Sequence, residues 1–185
     1  VYKRQILYIV YENHTRNKEL LKYAQTDALT GLYNKETTEQ LTDELLSEDE
    51  NKSHAFLILD VDCFKQINDI YGHAVGDIVL QKFGKLLKGT FREGDILGRI
   101  GGDEFGVIMK NIQTKDIAMK KAGELLAKTQ AYRIDELKGN NISISIGIST
   151  APQDGDCYMD LYKCADQALY QAKRSGKARV CNYFS

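Results

Sequence analysis

The chain alternates short runs that are apolar throughout with longer stretches in which apolar residues return every three or four positions. Ala55–Asp60 is a continuous apolar run of strand length, the pattern of a strand buried at the centre of a sheet. Asn141–Ser149 alternates isoleucine with Asn, Ser and Gly so strictly that it predicts a strand with one face buried. Asp95–Arg99 and Phe105–Met109 are two shorter strand runs flanking Gly101 and Gly102. That arrangement predicts a hairpin whose tight turn uses positive φ. Helical periodicity covers Glu36–Ser47, Val75–Leu87, Thr114–Ala131 and Tyr158–Ser175, with Val75, Val79, Phe83 and Leu86 as the stripe of the second. Gly176 ends the last helix in the usual C-terminal position.

Residues 1 to about 26 carry Ile6, Ile9, Leu20 and Tyr23 at helical spacing, with Asn13 and Arg16 interrupting the seam. A single leading helix and a signalling stalk that sets dimer geometry are equally open readings. Thr26 and Asp27 then supply helix-capping chemistry, and Gly31 marks a turn. The predicted division is a helix over residues 1–26 and one domain over 27–185. The element order predicts an α+β fold, a largely antiparallel sheet backed by helices.

Composition narrows the function. The 185 residues suit one domain with a modest excess, and 43% hydrophobic with 28% charged residues is the mixture of a globular chain that buries a core. Twenty-five Lys and Arg against 26 Asp and Glu argue against a nucleic-acid partner held by bulk electrostatics. A small phosphorylated ligand needs only a few local charges and fits this balance. Cys63, Cys157, Cys164 and Cys181 show neither CxxC nor metal spacing and read as reduced thiols. No apolar run approaches the ~20 residues of a membrane span. A cytoplasmic domain is expected; Val1 in place of an initiating Met leaves an anchor further upstream open.

Four carboxylates stand where strands meet turns. Asp60 and Asp62 end the apolar strand, whose period of two puts them on one face, and Asp103 and Glu104 follow the glycine pair. Any one of these alone reads as a solvated acid. Together they suggest a hard-cation site for Mg²⁺ beside a nucleotide's phosphates, with the glycines admitting close backbone approach. Better-known motifs fail: Phe64 and Lys65 occupy EF-hand ligand and turn positions, while Gln171 and Ala178 break a P-loop before and after Gly176-Lys177.

The string Gly101-Gly-Asp-Glu-Phe105 is joined by Asp27-x-Leu-Thr-Gly-Leu-x-Asn34, Asp60-Val-Asp-Cys-Phe-Lys65, Asn68-Asp-x-Tyr-Gly-His-x-x-Gly-Asp77 and Ala168-Leu-Tyr-x-Ala-Lys173. In this order the motifs resemble those of GGDEF domains, the diguanylate cyclases, over roughly Asp27 to the C-terminus. The resemblance implies a fold like the nucleotidyl cyclase and polymerase palm. It implies condensation of two GTP into cyclic di-GMP with loss of two pyrophosphates, dependent on Mg²⁺ or Mn²⁺. Asp60 and Asp103 would hold the metal with the Val61 carbonyl, and Asp103 or Glu104 would accept the proton. Lys65 would neutralise charge in the transition state. Asn68 and Asp77 would read guanine, His73 would support their loop, and Phe64, Gly101 and Gly102 would border the substrate. Lys173 and Lys177, four apart at the end of the closing helix, would pair with terminal phosphates.

Further implications concern control. Each site holds one GTP, so two domains must meet as a homodimer, with an upstream sensor acting through the leading helix. Arg92 and Asp95 match the RxxD site at which cyclic di-GMP inhibits its own synthesis. Lys35-Glu36 departs from the family's frequent Arg-Arg, Lys177 and Ala178 from Arg and Asn, and Cys63 reads as a small buried side chain. A non-catalytic receptor of GTP or cyclic di-GMP is the rival reading. The intact metal, base and guanine positions argue against it, and Asn68, Asp77 and the RxxD pair argue against a cyclase making a monomeric cyclic nucleotide.

Overall fold

In a computed structural model describing residues 24–48 and 52–183, five strands form one sheet. They are β1 (His54–Val61), β2 (Ile96–Arg99), β3 (Glu104–Met109), β4 (Ile144–Ala151) and β5 (Val180–Asn182), in the order β2-β3-β1-β4-β5. All pairs are antiparallel except β4 with β5. The helices are α1 (Lys35–Glu48), α2 (Phe64–Tyr71), α3 (His73–Lys88), α4 (Lys115–Ala131) and α5 (Tyr158–Arg174). This is the expected α+β architecture with the expected central strand. The leading helix expected over residues 1–26 lies almost wholly outside the described residues, which begin at helical Ala24 and Gln25.

Every residue of β1 is buried because both of its faces are covered. Ala55, Leu57, Leu59 and Val61 pack towards α3 and α4, against Val79, Phe83, Leu87 and Leu125. Phe56 and Ile58 pack the other way, against Leu46 of α1 and Leu161, Ala165 and Leu169 of α5. Burial of each of the larger apolar side chains stabilises the fold by about 1.5–3 kcal/mol, and the edge-to-face pair Phe83–Phe105, with centroids 4.9 Å apart, adds directional contact. Asp60 shares the parity of Phe56 and Ile58 and so faces the α5 side.

One strand expectation needs correction. The alternating strand β4 is buried on both faces, not one. Its small residues face a helix, not water: Ser149 Oγ donates to the Leu161 carbonyl at 2.8 Å, and a Cβ on Gly147 would lie 2.1 Å from the Ala165 carbonyl oxygen. Three short elements went unread: helix α2, eight residues long with Phe64, Ile67, Ile70 and Tyr71 apolar, a 3-10 turn over Asp135–Leu137, and the three-residue β5.

Asp27 does not cap a helix; its Oδ1 accepts from the Thr30 amide at 2.8 Å and the Thr30 hydroxyl at 2.7 Å, closing a single turn. The cap of α1 is Asn34, whose Oδ1 accepts from the Thr37 amide at 2.9 Å. No helix among the described residues is long and apolar enough to cross a membrane.

Candidate active site

The C-terminal end of β1 meets the start of β3, and the antiparallel register sets Asp60 directly opposite Glu104. Val61 N–H donates to the Asp103 carbonyl at 3.2 Å, which fixes Asp103 beside the same strand end. The connection is the four residues Ile100–Asp103. The expected hairpin of β2 and β3 is present, but neither Gly101 nor Gly102 has the positive φ expected of its turn. Their role here is room. A Cβ on Gly101 would lie 2.8 Å from Glu104 Oε2, so the carboxylate folds back over that glycine, whereas Gly102 has nothing within 4 Å of its missing Cβ.

The acids press on one another electrostatically. Burial pushes the Asp60 carboxyl above its ordinary pKa, the Lys173 ammonium at 2.7 Å pulls it back, and the charges of Asp103 and Asp62 raise it again. Burial likewise raises Glu104, and the charge of Asp60 adds to the shift. For a carboxyl raised in the folded state, stability is retained at low pH and lost as pH rises through the shifted pKa. At neutral pH the pair therefore opposes folding. All donors are hard oxygens and a cationic ammonium already sits against Asp60, so the residues fit a hard divalent cation. Asp60, Asp103 and Glu104 are spread more widely than the one trio of metal-type ligands within 4.8 Å among the described residues, Asp156, Cys157 and Asp160, of which both aspartates are exposed.

Asp62 leaves this set. The strand ends at Val61, so the period of two no longer applies, and the Asp62 carboxylate accepts from the Ser145 hydroxyl at 2.7 Å and the Ala178 amide at 3.1 Å. Cys63 follows with φ 58° and is exposed, not the buried side chain expected. Lys65 lies exposed on the first turn of α2, with Phe64 half-buried before it. Asn68 projects from α2 onto α3, where a Cβ on Gly76 would lie 1.9 Å from its Oδ1. That oxygen is buried without a hydrogen-bond partner. Asp77, next to Gly76, and His73, at the first position of α3, are exposed. Gly76→Ala is expected to displace the Asn68 carboxamide at a cost of about 1–3 kcal/mol; thermal melts check this, and an unchanged Tm would contradict it.

The lysines converge differently from expectation. Helix α5 stops at Arg174, so Lys177 sits in a left-handed turn (φ 61°) and not four residues along a helix from Lys173. Both nevertheless reach the end of β1: Lys173 Nζ on Asp60 at 2.7 Å, Lys177 Nζ on Cys63 Sγ at 3.1 Å.

Residues 24–179 match the family described as diguanylate cyclase, GGDEF domain. The chain belongs to the GGDEF-domain family. It is 36% identical over 170 residues to Diguanylate cyclase A of Treponema denticola, covering 89% of this chain and 46% of that protein. It is 37% identical over 185 residues to YhcK of Bacillus subtilis, covering 95% of this chain and 51% of that protein. The chain thus spans about half the length of these relatives. Among solved structures, the GGDEF domain of TpbB (YfiN) from Pseudomonas aeruginosa superposes with a TM-score of 0.81 at 33% identity, over 86% of this chain and 94% of that one.

In this GGDEF domain the RxxD pair is folded onto itself. Arg92 Nε donates to Asp95 Oδ1 at 3.0 Å, and the nearly buried Asp95 also accepts from the Lys110 amide at 3.1 Å. Sequence reading missed Arg99. Its Nε and Nη2 donate to the Gly102 carbonyl at 3.1 and 2.7 Å, and its Nη1 to Asp27 Oδ2 at 3.1 Å. Burial alone would raise the Asp27 carboxyl, but hydrogen bonds from Thr30 and the Arg99 guanidinium hold it below its ordinary pKa. A lone arginine at a strand end carries no signal of this tie. Arg99→Lys cannot keep the two-sided grip and is expected to lower the Tm by a few degrees without unfolding the domain; a thermal melt checks this, and an unchanged Tm would contradict it.

Proposed function

We propose that this GGDEF domain condenses two GTP into cyclic di-GMP with release of two pyrophosphates. The observation that carries the reading is the Asp60–Glu104 cross-strand pair beside Asp103, with Lys173 on Asp60 and Lys177 on Cys63 just beyond the same strand end. Asp60, Asp103 and the Val61 carbonyl hold Mg²⁺ or Mn²⁺, which when bound polarises the α-phosphate and lowers the pKa of the attacking 3′-hydroxyl. Lys173 and Lys177 bind the terminal phosphates, and Lys65 offsets charge that develops on them. Asn68 and Asp77 read the Watson–Crick edge of guanine, an amide and a carboxylate matching its acceptor and donors, with His73 supporting the loop between them. Glu104 accepts the 3′-hydroxyl proton, since its raised pKa brings it nearer to neutral pH than an ordinary carboxylate.

Each domain holds one nucleotide, so the reaction requires two domains facing one another. Residues 1–26 are the proposed route by which an upstream sensor controls that encounter, entering the domain beside the Asp27–Arg99 tie. Arg92 and Asp95 are the proposed product-inhibition site, where the exposed guanidinium would grip cyclic di-GMP. Incubation with GTP and Mg²⁺ followed by chromatography tests the reaction. Cyclic di-GMP and pyrophosphate in a one-to-two ratio are expected, and a monomeric cyclic nucleotide would contradict the reading.

A further inference from the structure

We propose that Asp62 is a positioning residue: it pins the Gly176–Ala178 turn and so sets Lys177 over the end of β1 to meet the nucleotide's terminal phosphates. The inference rests on the reading of Lys177 given above. The Asp62 carboxylate is buried and accepts from the hydroxyls of Ser143 and Ser145 and from the Ala178 amide at 3.1 Å, while its own N–H donates to the Ser143 carbonyl at 2.8 Å. Three donors on one carboxylate satisfy its charge without a cation. The result joins the end of β1, the start of β4 and the turn after α5 at a single side chain.

The turn needs such a tie. Gly176, Lys177 and Ala178 have φ of 110°, 61° and 48°, three successive residues in the left-handed region, two of them carrying a Cβ. L-residues adopt this conformation reluctantly, and it persists where surrounding contacts over-determine it. Lys177 N–H is held by the Ala172 carbonyl at 3.0 Å, which anchors the turn to α5. The anchor on the other side is Asp62. Its neighbour Cys63 then receives the Lys177 ammonium at 3.1 Å. A cavity of about 390 Å³ opens against Asp62, Cys63, Gln66, Lys177 and Ala178, so a ligand group can reach this ammonium.

The test is calorimetric binding of GMP and of an unreactive α,β-methylene analogue of GTP to the parent chain, Asp62→Ala, Asp62→Asn, Lys177→Ala and the Asp62→Ala/Lys177→Ala double variant. GMP lacks the terminal phosphates. Asp62→Ala and Lys177→Ala are each expected to weaken the triphosphate about tenfold and leave GMP within about twofold. Asp62→Asn keeps an acceptor for Ala178 and should recover part of the loss. The double variant should bind no more weakly than Lys177→Ala, since both changes remove one contact. Equal weakening of both ligands by Asp62→Ala, or an additive loss in the double variant, would overturn the positioning role. Unchanged triphosphate binding in Lys177→Ala would instead overturn the underlying reading of that lysine. If Asp62→Ala does not fold, Asp62→Asn decides the question by the same triphosphate-to-GMP comparison.

Discussion

Glu104→Gln is expected to leave the domain folded, with a Tm at or above that of the parent chain at pH 7.5, while cyclic di-GMP formation falls by about 10²-fold or more. The two halves of this result have one cause. Glu104 sits directly across from Asp60, and burial together with the charge of Asp60 raises its pKa. Ionised at neutral pH, it opposes folding, and the amide removes that opposition without changing shape. The difference in Tm should shrink on acidification through the raised pKa, because the parent carboxyl then becomes neutral as well. The lost activity follows from the role proposed above for Glu104 as proton acceptor. Thermal melts at several pH values and product chromatography measure both, and a variant that is markedly less stable yet active would contradict the account.

Gly147→Ala is expected to produce the largest loss of stability of any single methyl addition in the sheet. The new Cβ would lie 2.1 Å from the Ala165 carbonyl oxygen and 2.3 Å from the Leu169 amide nitrogen. Both are backbone atoms of α5, so no side-chain rotation relieves the contact; the helix must lift from the strand. A cost of about 3–5 kcal/mol is expected, a large share of a total stability of about 5–15 kcal/mol. Lifting α5 also withdraws Lys173 from Asp60, so activity should fall even where folded protein remains. Gly102→Ala is the contrasting case: nothing lies within 4 Å of its missing Cβ, and its denaturation midpoint should match the parent. Urea titration of both variants decides the matter, and a Gly147→Ala midpoint equal to that of the parent would show that α5 does not bear on β4 this closely.

What the sequence made legible followed from strong periodicities. The apolar run of β1 and the long amphipathic helices were readable because burial on one or both sides leaves a pattern across several residues. Helix α2 escaped because its eight residues make little more than two turns, and β5 because its three residues, Val180–Asn182, have no period. The serines of β4 misled for a related reason: small polar residues facing a closely packed helix look, in sequence, like residues facing water. In the site, the acids were visible as a cluster, but their division of labour was not. Asp62 parts from Asp60 because the strand stops between them and Ser143 and Ser145, just before and within the start of β4, are there to receive it. The Arg99–Asp27 tie joins residues 72 positions apart, a contact that only the folded backbone reveals.

The most direct test of the account is GTP turnover with Mg²⁺ over a range of protein concentrations, with products resolved by chromatography and Asp103→Ala run beside the parent chain. Cyclic di-GMP is expected from the parent, rising more steeply than linearly with protein concentration, and none from the variant. Binding of GTP without any cyclic di-GMP at the highest concentration would contradict a catalytic site at the meeting of β1 and β3, and would make the domain a nucleotide receptor.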